Sequence, residues 1–356
     1  MTPPGTDPGP RPEVEHAELV KAMKRPDFYP HPVDEVGYLQ THVSSVFLTG
    51  RWAYKLKKPV DFGFLDFTTP ELRREACRKE LELNRRLAPD VYREVKPVTL
   101  EGDEPVLGGE GRAVDWVVVM RQLEQELLGP NVLTAGELTE EKIDAVVDLL
   151  VPFYRNARTG PGVDEFGSVE TIRFNTDENF EQTADFVGRA LTGKQYEEIR
   201  SFTSSFLEEE EELLRRRVEE GRIRECHGDL HLGNIFFSAP PVIFDCIEFN
   251  ERFRCSDVAV DLAFLVMDLD FQGRPELARR VVERYVEGSG DTELPDLVDL
   301  YACYRAYVRG KIACLTSRDP ALDEEAREGQ IQLARRYFDL AHRYAGDGDE
   351  EEERDA

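Results

Sequence analysis

One change of hydrophobic period constrains this chain more than any other feature. From about residue 36 to 123 the apolar residues fall in short runs and alternations that read as strands, with one helix among them. From about 124 to 345 they recur at helical spacing, interrupted by one short strand-rich island near 223–249. A period of two and a period of 3.6 cannot share a layer, so the predicted class is α+β: a small β-rich N-lobe, 36–123, and a larger α-helical C-lobe, 124–346. Residues 1–35 are expected to be a disordered leader, Pro- and Gly-rich to about 12, and a lead-in segment; 347–356 reads as an acidic, solvated tail. No internal repeat is visible.

Charge narrows the partners. Lys+Arg 45 against Asp+Glu 72 leaves a net charge of -27, which repels phosphate backbones and anionic lipid, so neither nucleic acid nor membrane is expected as a partner. No apolar run approaches the roughly 20 residues of a membrane span, and the N-terminus lacks a cationic-then-apolar signal pattern, so a cytoplasmic location is expected. The six cysteines, Cys77, Cys226, Cys246, Cys255, Cys303 and Cys314, include no C-x-x-C pair and sit in apolar or motif segments. Buried thiols are expected rather than a zinc site or a disulfide framework.

In the first lobe Val43 to Leu48 and Trp52 to Leu56 flank Thr49-Gly50-Arg51 and predict a hairpin. A helix is expected from about Pro70 to Leu87, capped by Thr69. On it Leu72, Ala76, Leu83 and Leu87 form the apolar stripe, and Glu80 shares that stripe, whereas Glu82 lines up with Arg78, Lys79, Arg85 and Arg86 on a solvated face. An inward carboxylate is costly unless a cation meets it. Strand alternation offers two cations on one face, Lys55 and Lys57. Val95 to Leu100 and Trp116 to Met120 read as further strands, followed by a crossing at Arg121-Gln122-Leu123.

The richest segment runs from Glu225 to Ile235 and contains His227, Gly228, Asp229, His231 and Asn234; Ile243-Phe244-Asp245 and Glu248 follow. Asp229, Asn234 and Asp245 are hard oxygen groups of the kind that suits Mg²⁺ completed by waters and phosphates. Zinc on His227 and His231 is the weaker alternative, because Gly228 and the strand-rich context do not make a metal-binding helix.

The string from His227 to Asn234, His-Gly-Asp-Leu-His-Leu-Gly-Asn, resembles the catalytic loop of aminoglycoside phosphotransferases and choline kinases, relatives of the protein kinases, whose loop H-R-D-L-x-x-x-N has the same Asp-to-Asn spacing. Ile243-Phe244-Asp245 resembles that superfamily's metal-binding Asp strand. The segment from Ser256 to Ala263, with Asp257 and Asp261, resembles its helix start, and Trp52-Ala53-Tyr54-Lys55 is similar to V-A-I-K. The strings at 41–48, 54–60 and 81–89 look like those of an uncharacterised bacterial family of aminoglycoside-phosphotransferase-like kinases, and the resemblance covers roughly residues 36–270. Members of that family are often joined to a C-terminal P-loop ATPase domain; no GxxxxGK(S/T) occurs here, so a stand-alone form is expected.

The resemblance implies a bilobal protein-kinase-like fold and an ATP- and Mg²⁺-dependent phosphotransferase acting on a hydroxyl of a small molecule. In that scheme Asp229 is the catalytic base, Asn234 and Asp245 hold Mg²⁺, and Lys55, or Lys57 in competition with it, meets the phosphates while Glu80 orients it. No G-x-G-x-x-G precedes Lys55, so the phosphate-covering loop is expected at Thr41 to Ser45, with Ser44 and Ser45 supplying hydroxyls. Adenine is expected beside Ala53 and the crossing at Met120, Arg121, Gln122 and Leu123. His227 is expected to brace the loop, Asp261 to accept its backbone N–H groups, and Glu248 either to end a strand or to act near metal or substrate. Asp177 to Phe180 is read as capping a helix N-terminus or lining the acceptor cleft, where acidic residues would suit a cationic or polyhydroxyl ligand. A nucleotide sensor without catalysis, a protein acceptor and nucleotidyl transfer are the rival functions.

Overall fold

The computed structural model describes residues 14–354, with side chains to residue 346. The leader expected at 1–12 and the side chains of the acidic tail lie outside the described residues. The chain divides into two compact units: one runs to Glu124 and takes in Glu248–Asn250, and the other comprises Gln125–Ile247 and Glu251 onward.

The first unit is built on six strands: β1 (Gly37–Gln40), β2 (Ser44–Leu48), β3 (Trp52–Lys57), β4 (Tyr92–Glu101), β5 (Glu104–Leu107) and β6 (Arg112–Arg121). Their order is β1-β2-β3-β6-β4-β5, with every neighbouring pair antiparallel. The predicted hairpin is β2–β3, closed by Gly50 at a positive φ of 84° that costs a glycine little. One sheet face buries Phe47, Tyr54, Leu56, Val98, Val117 and Val119 against Met23 and Tyr29. Met23 ends a helix, α1 (His16–Met23), which the sequence reading did not assign within the lead-in.

Helix α2 (Pro70–Asn84) begins as expected: Thr69 Oγ1 accepts the Leu72 N–H at 3.3 Å and Pro70 stands in the first turn. It is tied down by Arg73, whose guanidinium donates to both carboxylate oxygens of Asp115 on β6 at 2.9 and 3.0 Å and to the carbonyls of Phe67 and Thr68.

One expectation needs correcting. Ser44 and Ser45 are not loop residues. The turn ends earlier because Thr41 Oγ1 accepts the N–H groups of Val43 and Ser44, and both serines open β2, fully buried and paired with Lys57 and Leu56.

The second unit is helical. Its elements in order are α3 (Gly129–Thr134), α4 (Glu140–Asn156), α5 (Val169–Thr183), α6 (Gly193–Glu209), α7 (Glu211–Glu219), β7 (Ile223–Glu225), β8 (Ile235–Phe236), β9 (Val242–Ile243), α8 (Glu251–Arg254), β10 (Cys255–Asp257), α9 (Val258–Phe271), α10 (Pro275–Ser289), α11 (Pro295–Thr316) and α12 (Glu324–Arg354). Helix α9 is apolar on almost every side and buried throughout Val258 to Leu269, the mark of a central helix. Only two polar side chains, Asp261 and Asp268, break that run, and they stand two turns apart on one face.

A second correction concerns Asp177 to Phe180. The helix containing them starts at Val169, capped by Ser168 Oγ, so these residues lie mid-helix and cap nothing. All six cysteines are buried free thiols. Among the described residues no helix is long and apolar enough to cross a membrane.

Candidate active site

Alternation along β3 puts Ala53, Lys55 and Lys57 on one face, and helical spacing turns Glu80 of α2 inward, where it is fully buried. Both lysines meet it: Lys55 Nζ stands 2.9 Å from Glu80 Oε1 and Lys57 Nζ 2.7 Å from Oε2. Lys57 also pairs with Glu248. Burial by itself would raise the Glu80 carboxyl, but the two ammonium groups outweigh it and hold the pKa at about 2. For Lys57, burial is likewise overcome by Glu248 and then Glu80, which hold the ammonium above its ordinary range. Glu248, by contrast, is left raised by burial, against the pull of Lys57.

Exposure separates the two lysines. Lys57 is 1% exposed and shared between two carboxylates, whereas the side chain of Lys55 is 12% exposed. The competition between them thus resolves into different situations for the two residues, and Glu248 is a counter-ion rather than a bare strand end. The expected nucleotide edge is also narrowed. Ala53 pairs with Met120, but the Arg121 N–H already donates to Val91 O at 2.8 Å and the Gln122 N–H to Arg51 O at 3.0 Å. Ser45 Oγ is bonded to Tyr38 at 3.2 Å, while Ser44 Oγ has no partner among the described residues.

In the helical unit the loop from Cys226 to Asn234 is held by backbone bonds to carboxylates. Asp261 Oδ2 accepts the His227 N–H at 2.9 Å and Oδ1 the Gly228 N–H at 2.8 Å, and the Tyr154 hydroxyl donates to Oδ2 at 3.0 Å. Asp268 Oδ2 takes the Leu232 N–H at 2.9 Å. Gly228 has φ +88°, and a Cβ there would fall 2.7 Å from Phe253 O, so both torsion and space demand glycine. His227 braces the loop: Nε2 lies 3.0 Å from Phe244 O and Nδ1 accepts the Asp229 N–H at 3.3 Å. Burial lowers its pKa, against the pull of Asp261 and Asp229.

This frame aims Asp229. Asn234 Nδ2 donates to Asp229 Oδ2 at 2.9 Å and to Asp229 O at 3.0 Å, while His231 Nε2 stands 3.4 Å from the same Oδ2. Burial opposes the charge on Asp229, but His231, then His227 and Arg309, more than offset it and leave the carboxyl well below its ordinary range. His231 is raised in return, its burial outweighed by Asp229. With Nδ1 accepting the Gly233 N–H at 3.1 Å, His231 has both nitrogens engaged, as does His227.

The sequence reading left His231 without this role, and it left out Asp268 and Tyr154 altogether. The seven-residue repeat of Asp in the apolar run of α9 was the available signal for Asp268.

Asp245 is linked to this loop through its neighbour. The Phe244 N–H donates to Asn234 O at 3.0 Å, its carbonyl faces His227 Nε2, and the Ile247 N–H donates to His227 O at 3.1 Å. Among the described residues Asp245 is the only non-glycine with positive φ, 64°. A left-handed conformation costs an L-residue about 1–2 kcal/mol and is held here by the bonds on either side. Asn234 Nδ2 is committed to Asp229, which leaves its amide oxygen, and Asp245 carries a carboxylate; oxygen groups of this kind suit a hard cation such as Mg²⁺.

Comparison with known proteins bears on this set of residues directly. Residues 64–307 match the model of the "Phosphotransferase enzyme family". The chain belongs to that family. The matched stretch contains Glu80, Asp229, Asn234, Asp245 and Glu248 and begins after Lys55 and Lys57. Among curated relatives, the uncharacterized protein Rv2004c of Mycobacterium tuberculosis is 34% identical over 289 residues, which is 80% of this chain and 56% of that protein. The chain thus spans a little over half the length of the relatives it matches.

Two solved structures are also similar. One is a choline/ethanolamine kinase family protein from Mesorhizobium loti, at a TM-score of 0.49 and 12% identity, covering 92% of this chain and 99% of that one. The other is a glucosamine kinase in complex with glucosamine, ADP and inorganic phosphate, at a TM-score of 0.47 and 15% identity, covering 95% and 84%.

Proposed function

We propose that this family member transfers the γ-phosphoryl group of ATP, with Mg²⁺, to a hydroxyl of a small molecule. The observation that supports the reading best is Asp229: an ionised carboxylate, about a third exposed at 34%, with Oδ2 aimed by Asn234 and His231 on a loop anchored to α9. Such a group accepts the proton of an attacking hydroxyl and orients its oxygen. Asn234 Oδ1 and Asp245 would hold the metal, which when bound neutralises charge on the phosphates.

Lys55 would meet the phosphates, held in place by Glu80, while Lys57 braces the same carboxylate from within. Adenine would lie against Ala53; with the Arg121 and Gln122 N–H groups engaged, Leu123 is the residue of that crossing left to meet the base. Hydroxyls from Ser44 and Ser45 would contribute less than the sequence implied, since both are strand residues. The test is Asp229→Asn. Turnover should fall about 10²–10⁴-fold with ATP affinity kept within a few-fold; an unimpaired variant removes Asp229 as the base.

A further inference from the structure

The loop treats the two carboxylate oxygens of Asp229 differently. Asn234 Nδ2 donates to Oδ2 at 2.9 Å and His231 Nε2 stands 3.4 Å from that same oxygen, while among the described residues no group is bonded to Oδ1. An oxygen already facing two donors is a poorer proton acceptor than its twin, and donors on one side fix the plane of the group.

The His231 contact depends on where the ring keeps its proton, and Gly233 decides that. Its backbone N–H donates to Nδ1 at 3.1 Å. A backbone N–H cannot accept, so Nδ1 presents its lone pair and the proton of the neutral ring sits on Nε2, facing Asp229. The ring is also held in space. Asp268 anchors the intervening Leu232 N–H at 2.9 Å, Phe264 of α9 packs against the imidazole at 5.4 Å, and a Cβ on Gly233 would fall 2.7 Å from the Cε1 of the ring. Gly233 does not have the positive φ of Gly228. What demands glycine there is the space that the ring occupies.

Resting on the proposed phosphotransferase activity, we infer that Gly233 and His231 are positioning residues that make Oδ1 of Asp229 the oxygen that receives the acceptor. The hydroxyl proton passes to Oδ1 as the hydroxyl oxygen bonds to the γ-phosphorus and the bond from that phosphorus to the departing ADP oxygen breaks. With Asn234 as the only remaining donor the carboxylate can turn, and the selection between its oxygens is lost. Neither His231 nor Gly233 touches substrate in this scheme.

Three variants separate the two ends of the ring. In His231→Asn the shorter amide oxygen still accepts the Gly233 N–H, but nothing reaches Asp229. His231→Gln extends an amide N–H₂ toward Oδ2, and Gly233→Ala keeps the histidine but displaces its ring. With water as the acceptor, the kcat for Mg²⁺-dependent phosphate release from ATP should fall about ten- to a hundredfold in His231→Asn and Gly233→Ala, with KM for ATP within about threefold of native. His231→Gln should recover most of the loss. Circular dichroism establishes that each variant is folded. Nitrogen NMR spectra of the full chain with isotope-labelled histidine, at mildly alkaline pH without nucleotide or metal, should show His231 protonated at Nε2 alone, with that resonance shifted by Asp229→Ala. The assignment is overturned by a proton on Nδ1, by a resonance that Asp229→Ala leaves unmoved, by a His231→Asn variant that turns over like native, or by a His231→Gln variant that falls as far as His231→Asn. A native chain that releases no phosphate counts against the proposed function instead, and the spectra still decide whether Gly233 and His231 act on Asp229.

Discussion

Replacing Lys311 by methionine should alter stability in a way that depends on pH, with a sign fixed by the surroundings of the ammonium group. Burial pulls the Lys311 pKa from 10.5 down to about 8; Glu178 raises it, Arg252 lowers it further, and Asn179 is its hydrogen-bond partner. Between those two values the unfolded chain binds more protons than the folded one, so the lysine's penalty is full below pH 8 and fades as pH rises toward 10.5. At about 1.4 kcal/mol per pH unit, the upper bound on that penalty is about 3 kcal/mol.

Methionine removes the penalty but strands Asn179 Oδ1, a pH-independent cost of about 1–3 kcal/mol. The net change at neutral pH is therefore small, while the difference between variant and native protein should move by about 2–3 kcal/mol in favour of the native protein between pH 7.5 and pH 10.5. The assay is urea unfolding followed by far-UV circular dichroism, which reports the helical unit; both tryptophans, Trp52 and Trp116, lie in the sheet unit and would report the other. A difference that stays flat across that pH range, within about 0.5 kcal/mol, refutes the reading of Lys311 as a desolvated cation bonded to a neutral amide.

Further outcomes are expected from the two ionic clusters. Lys57→Met takes from Glu248 the ammonium that pairs with it and leaves Glu80 with Lys55, and should destabilise the protein by about 3–5 kcal/mol. Lys55→Met should cost much less stability and weaken ATP binding, as measured by calorimetry; equal effects would erase the distinction drawn from exposure. Glu80 is held below its ordinary value of 4.5, so its contribution is present above that pH and lost as pH falls toward 2. Glu80→Gln should therefore flatten the acid limb of the stability curve, and an unchanged acid limb would contradict the pairing. Asp261→Ala leaves two N–H groups and the Tyr154 hydroxyl without an acceptor and should cost about 3–6 kcal/mol in urea unfolding; a loss under about 1 kcal/mol would show that the loop is held by something else.

Much of this was legible in the chain because the informative patterns were local. Helical spacing alone turned Glu80 inward, and strand alternation put Lys55 and Lys57 on one face; the structure joins all three. The span from His227 to Asn234 carried its meaning in a tight, glycine-dependent loop whose geometry the residues themselves impose. Other features depended on partners far along the chain. Glu248 pairs with Lys57, 191 residues away, and nothing in its neighbourhood announces that. Strands β1 and β5 have only four residues each and are edge strands, too short for an alternation to stand out. Ser44 and Ser45 fall in the predicted strand from Val43, yet the resemblance also assigned them to a phosphate-covering loop; Thr41 closes the turn before them. Ser168 caps α5 without a Glu three residues on, so the usual signature was missing and the start of that helix was set too late.

Phosphoryl transfer itself is tested most directly by incubating the protein with γ-labelled ATP, Mg²⁺ and a metabolite extract, then resolving the small-molecule products by mass. A product heavier by one phosphate, carrying the label and absent when Asp229→Ala replaces the native chain, is the expected result. Label that stays on ATP, or a labelled product formed equally well by the Asp229 variant, would contradict it.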